Sequence, residues 1–155
     1  MFHFFLLINR QGKMRLNKWW SPYTQKEQSK IGREITQKVL NRTPKQCNFI
    51  EWREFKIIYR RYASVYFVFC IDKTDNELIS LEVMHFFCVV LDKHFGNVCE
   101  LDLIFNFDKV YVILDECILS GEQQETSSKE VIRRVNESDT LARAEVLEEA
   151  LAWAY

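Results

Sequence analysis

The segment Val65-Tyr66-Phe67-Val68-Phe69-Cys70-Ile71 is apolar or aromatic throughout. It lacks the alternation of a strand with one wet face, so it must be covered on both sides and belongs at the centre of a sheet with layers above and below. A second constraint lies just downstream. From Thr74 to about His94, residues Leu78, Ile79, Leu81, Val83, Met84, Phe86, Phe87, Val89, Val90 and Leu91 occupy nearly the whole circumference of a helix. That pattern predicts a buried helix lying across the sheet. Thr74 or Asp75 is the expected cap, and Gly96 the stop.

The flanking segments supply the rest of the sheet. Phe2 to Asn9 and Met14 to Trp20 predict a hairpin around Arg10-Gln11-Gly12-Lys13, where Gly12 is free to take a positive φ. Ser21-Pro22 breaks the second strand, and Thr24 with Glu27 has the form of a capping box. Ile31, Ile35 and Val39 then form one apolar stripe on a helix that ends before Pro44. Cys47 to Trp52 and Phe55 to Tyr62 predict two more strands around Arg53-Glu54. The reading is five strands in meander order followed by helices, an α+β domain. Asn97-Val98-Cys99-Glu100 resembles a cap before Leu101–Phe105, and Phe107 to Leu119 predicts a helix closed by Gly121. Ser127-Ser128-Lys129-Glu130 repeats the capping-box form before Val131, Ile132 and Val135. Residues 1–135 are expected to form the domain and 136–155 a helical extension, its last part, Leu141 to Tyr155, acidic and weakly amphipathic.

At 155 residues the chain has the size of one domain. A domain of this length removes roughly two-thirds of its unfolded surface from water. Its net charge of −1 gives no general attraction to nucleic acid. Lys56 to Tyr62 mixes bases with aromatics, but it lacks the glycine pattern of an RNA-binding sheet. It reads as an edge strand with solvated cations or a protein partner. Phosphate-cradling glycine loops and the G-x-S-x-G elbow are absent, so neither nucleotide chemistry nor that hydrolase class is indicated. The five cysteines form no C-x-x-C pair and suit reduced thiols. His85 and Cys88 have a spacing that two metal ligands could use, but no second pair completes a site. Cys99 near His94 has no identifiable oxyanion donor. Neither a cofactor nor a metal is expected. Phe2–Ile8 lacks the basic flank and cleavage site of a signal peptide, and no stretch is long enough to span a bilayer. Twelve Phe, six Tyr and four Trp exceed what one small core needs, which points to an interface.

Several segments, in order, resemble the small (sigma) chains of clathrin adaptor complexes. They are Asn9–Trp19, Phe49–Arg53, Tyr59–Phe67, Asp75–Leu78, Leu91–Phe95, Asn97–Phe107, Ile113–Glu116 and Glu125–Ser127. Trp52, Tyr62-Ala63-Ser64 and Asp75–Ile79 resemble the trans-Golgi and endosomal type, whereas Lys56–Tyr62 is equally similar to the plasma-membrane type. The resemblance implies a longin-like fold, a five-stranded antiparallel sheet flanked by helices, and no enzymatic activity. It implies a cytosolic heterotetramer in which this chain packs on the trunk of a large chain of gamma type, beside a second large chain and a medium chain. Clathrin and the membranes of the trans-Golgi network, endosomes and coated vesicles would be reached through the other subunits.

The same resemblance implies a site for acidic dileucine signals, [DE]-x-x-x-L-[LI], in the tails of membrane cargo. Ala63, Val65, Cys88, Val98 and Leu103 match its apolar lining, Asn97 its edge, and Arg15 the cation that meets the signal's acidic residue. Cys88 and Val65 stand where larger aliphatics are usual, and Trp20 where Tyr is usual. On composition alone Val65, Val98 and Leu103 are core residues and Arg15 a solvated charge. The competing readings are the small chain of the coatomer coat and a longin domain regulating membrane fusion.

Overall fold

A computed structural model describes residues 1–122 and 132–137, together with positions 140, 141, 144, 145, 148, 151 and 152. The elements are β1 (Phe2–Asn9), β2 (Met14–Trp19), α1 (Gln25–Leu40), β3 (Phe49–Trp52), β4 (Phe55–Tyr62), β5 (Val65–Asp72), α2 (Glu77–Phe95), α3 (Glu100–Phe105) and α4 (Phe107–Glu122). The capping box expected at Ser127–Glu130 lies outside the described residues, as does most of the expected helix from Leu141.

All strand pairs are antiparallel, and the order across the sheet is β2-β1-β5-β4-β3. The five strands are as expected, but the sheet is not a meander. α1 carries the chain across one face, from the β2 edge to the opposite β3 edge. β1 and β5, the two most apolar strands, thereby become central neighbours. The more polar β2 and the four-residue β3 are left at the edges. β4 is not an edge strand over its first half, because Phe55–Ile58 pair with β3. Arg60–Tyr62 pair only with β5.

Alternation along β1 serves both sides of the sheet. Phe4, Leu6 and Ile8 pack with Ile57, Val68 and Cys70 against Ile31, Ile35 and Val39 of α1. Phe5 and Leu7 pack with Phe67 and Phe69 against Met84, Phe87 and Leu91 of α2, and against Val110, Ile113 and Leu114 of α4. Phe87 is the hub of the second core. Its ring meets Phe5 and Phe67 edge-on, each at a centroid distance of 5.7 Å.

Two caps decide where the helices begin. Thr24 Oγ1 accepts from Glu27 N at 3.3 Å and Glu27 Oε2 accepts from Thr24 N at 2.8 Å, the reciprocal box expected for α1. α2 is capped by Asn76 rather than by Thr74 or Asp75. Asn76 Oδ1 accepts from Leu78 N at 2.9 Å, while Asp75 Oδ2 is taken by Asp72 N in the preceding turn. α2 is also not buried all round. Leu78 is 72% and Ile79 61% exposed, because the sheet and α4 leave its first turn uncovered.

His3 Nε2 lies 2.6 Å from Asp72 Oδ1. That hydrogen bond is the main reason the Asp72 carboxyl is held below its ordinary value of 3.8. A lowered carboxyl contributes stability that is present above its unfolded pKa and lost as pH falls through its folded one. Thermal unfolding between about pH 5 and pH 2 should therefore show a steeper acid loss for the native chain than for Asp72→Asn. Phe87→Ala should cost about 3–5 kcal/mol in denaturant unfolding, the range for emptying a fully buried aromatic site.

Candidate functional site

Pairing of β1 with β5 sets Asn9 opposite Val65. The β1–β2 turn and the β4–β5 turn therefore lie at the same end of the sheet. Tyr62 pairs with Val65, so Ala63-Ser64 is a two-residue turn, and Ala63 has φ 54°. A side chain in the left-handed region costs about 1 kcal/mol, and here the sheet on either side enforces it. The α2–α3 connection is wound in the same way, with Gly96 at φ 64° and Asn97 at φ 50°. Asp92 ties that connection down: its carbonyl accepts from Gly96 N at 2.9 Å and its Oδ1 accepts from Val98 N at 3.2 Å.

The sequence-predicted residues fall into three groups. Val65, Cys88, Val98 and Leu103 all join the core between the sheet and α2. They are between 1% and 6% exposed, so they present almost no surface to solvent. Ala63 and Asn97 are exposed at the turns above them. Arg15, on β2, does not stand alone. Its Nε donates to Glu100 Oε1 at 2.8 Å, in a pair whose side chains are 30% and 22% exposed.

Glu100 is the residue that sequence reasoning missed. It opens α3, and its Oε1 also accepts from Asn9 Nδ2 at 3.3 Å. Asn9 is 2% exposed and folds its own turn, with Oδ1 accepting from Lys13 N at 2.9 Å and Gln11 N at 3.1 Å. Asn9 and Glu100 thus fasten Arg15 to the helix that carries Leu103. The cap of α3 is Cys99 with Asp102, not Asn97: Asp102 Oδ2 accepts from Cys99 N at 3.0 Å, and this bond holds the Asp102 carboxyl below its ordinary value.

Among the described residues the other candidate chemistry is not assembled. Among the described residues no three His, Cys, Asp or Glu side chains are grouped as metal ligands. His85 is exposed whereas Cys88 is buried, and the Cys99 thiol donates to Asp102 Oδ2 at 3.2 Å. No described helix is long and apolar enough to cross a membrane.

The clathrin adaptor complex small chain family matches residues 1–142. The chain belongs to that family. This small chain is 64% identical over 140 residues to the AP-1 complex subunit sigma-2 of Dictyostelium discoideum, covering 90% of this chain and 91% of the relative. It is 60% identical over 141 residues to the AP-1 complex subunit sigma-1 of Arabidopsis thaliana, covering 91% and 88%. With the human AP-1 complex subunit sigma-1A it shares 52% over 141 residues, covering 91% and 89%. A chain of a homology model of the full-length AP-3 complex in a stretched open conformation superposes with a TM-score of 0.76 at 26% identity, covering 96% of this chain and 99% of that one. The fold is therefore the longin-like α+β fold, and the small chain is a structural trafficking subunit rather than an enzyme.

Burial pushes the Cys70 and Cys88 thiols up to about 12, whereas Cys47 and Cys99 are exposed. A thiol alkylator at neutral pH should label Cys47 and Cys99 quickly and leave Cys70, Cys88 and Cys117 unmodified until the chain unfolds. Peptide mapping of the labelled protein reads this out; rapid labelling of Cys88 would mean that the apolar lining is already open in the free chain.

Proposed function

We propose that this small chain serves an AP-1-type heterotetramer that works between the trans-Golgi network and endosomes, and that it receives acidic dileucine signals at the Arg15 end of its sheet. The identities to AP-1 sigma subunits support the subtype and weigh against the coatomer and fusion-regulator readings. The observation that carries the cargo reading is the link from Arg15 through Glu100 to the α3 helix of Leu103, with Val65, Cys88 and Val98 in the core beneath.

In this reading Glu100 occupies Arg15 until a signal arrives. The signal's carboxylate replaces that of Glu100, a near-even exchange of one half-exposed ion pair for another. It sets register more than affinity. The two leucines supply the driving force, roughly 1.5–3 kcal/mol each on full burial. Their entry requires the turns at Ala63 and Gly96-Asn97 to yield, since the lining beneath is closed. Both turns already hold a non-glycine residue at positive φ.

Assembly has its own surface. Leu78, Ile79, Leu101, Phe105 and Phe107 are between 53% and 77% exposed. Large apolar side chains in that number suit an obligate interface with a large chain of gamma type. The second large chain and the medium chain complete the complex.

Binding of a fluorescent dileucine peptide to the co-expressed tetrameric core tests the proposal. Val98→Asp should abolish binding, Arg15→Ala should weaken it by up to about fivefold, and Glu100→Gln should strengthen it. Co-purification of the other three subunits with each variant shows that the core still assembles. Unchanged peptide affinity in an assembled Val98→Asp core would end the cargo reading.

A further inference from the structure

Tyr62 closes the β4–β5 hairpin: it pairs with Val65, and Ala63-Ser64 forms the turn between them. Its ring is half-buried on the α2 face of the sheet, edge-on to Phe67 at a centroid distance of 6.2 Å. Beyond the ring, the hydroxyl meets the carboxylate of Asp92, itself half-buried in the last turn of α2. Burial first, and then the bond to Asp92, push the Tyr62 hydroxyl above its ordinary value of 10.0. It is therefore protonated at neutral pH and acts as the donor.

The same Asp92 fastens the α2–α3 connection, its carbonyl accepting from Gly96 N and its Oδ1 from Val98 N. One aspartate thus holds both strained turns. Through Tyr62 it reaches the turn with Ala63 at φ 54°, and directly it holds the turn with Asn97 at φ 50°. Val65 and Val98 lie just inside these turns, 1% and 6% exposed. Cys88, also 1% exposed, is four residues before Asp92 and so lies one turn away on the same face of α2. The hydroxyl is not needed for the packing of the ring: contact with Phe67 and pairing with Val65 would persist with phenylalanine at this position.

We infer that the Tyr62–Asp92 hydrogen bond is a latch that holds the apolar lining shut and sets how readily it opens. The ligand of the opened lining, the leucine pair of an acidic signal, rests on the cargo reading above. The latch rests on contacts within the chain. A lining that must open before it can bind has an apparent affinity reduced in proportion to its open fraction. Removing a bond made only in the closed state raises that fraction without altering the apolar side chains that a leucine would meet. A carboxylate acceptor strengthens the bond, while partial exposure keeps its net effect moderate.

The test is Tyr62→Phe in the tetrameric core, read in two ways. Alkylation of the Cys88 thiol reports opening with no ligand present, and the fluorescent dileucine peptide reports binding. Cys88 labelling should become about fivefold faster and peptide binding tighter by the same factor, because both scale with the open fraction. Cys70, buried on the α1 face, should label no faster. Tyr66→Phe, which removes a hydroxyl from the α1 face of the same hairpin, should change neither readout. Asp92→Asn keeps an acceptor for Val98 N but gives Tyr62 a neutral partner, and should fall between native and Tyr62→Phe. Unchanged Cys88 labelling in Tyr62→Phe would overturn the inference. So would a parallel rise at Cys70, which marks loosening of the whole fold, or faster Cys88 labelling with no gain of affinity in a core that binds peptide. Faster labelling confined to Cys88, in a core that binds no dileucine peptide in native or variant form, would overturn the cargo reading and leave the latch standing.

Discussion

Pairing of β1 with β5 is the interaction on which the rest of this molecule depends. The two strands are separated by more than fifty residues and pair from Phe2–Ile71 to Asn9–Val65. Both are buried on both faces, so this one ladder is the floor of two cores at once. Phe4, Leu6 and Ile8 serve α1, while Phe5 and Leu7 serve α2 and α4. A slip of one residue would exchange those sets and spoil both cores together. The same register places the β1–β2 and β4–β5 turns side by side. Arg15, Ala63 and Val65 share one end of the sheet because the central ladder leaves them no other arrangement.

Around that end, rigidity and strain are distributed unevenly. Asn9, Asp92 and Asp102 hold their loops by hydrogen bonds to backbone amides. Ala63 and Asn97, by contrast, sit at positive φ with no side-chain bond of their own to justify it. A closed apolar core under two strained turns can exchange internal packing for packing against a ligand. The polar part of the site is already balanced, with Glu100 supplying the negative charge that Arg15 would otherwise lack. On the proposed cargo reading, selectivity for an acidic signal would come from a competition between two carboxylates, and affinity from leucines reaching Val98 and Leu103.

Much of this was legible from local pattern. The unbroken apolar run at β5, the Thr24–Glu27 box and the turn at Gly12 each have one dominant physical reading, and each forms as expected. What local pattern could not supply was pairing across distance. Five strands can be arranged in several antiparallel orders. Only the burial demanded by β1 and β5 together, and the length of α1, select the order with β1 beside β5. The apolar residues of the candidate site were legible as core and, through resemblance, as pocket lining. Glu100 was visible as a first-turn acid of α3, but its partner lies 85 residues earlier. Leu78 and Ile79 misled for a related reason: a helix apolar on every side implies complete cover, and part of that cover is not among the described residues.

That last discrepancy bears on how the small chain exists. Leu78 and Ile79 open α2, while Leu101, Phe105 and Phe107 cluster where α3 passes into α4. Together they leave apolar area that a free soluble domain of this size would normally hide. Meanwhile β4 leaves a stretch of open edge at Arg60–Tyr62, a place where unwanted strand pairing begins unless charge prevents it. The exposed Arg60 and Arg61 meet that requirement, because a second copy of this edge would bring its own arginines against them. The cations at that edge therefore act against self-association, and the apolar helix ends act in favour of a partner. The fold assigns these opposite tendencies to different surfaces, and so allows a subunit that is sticky toward its large chain to remain selective about what else it touches.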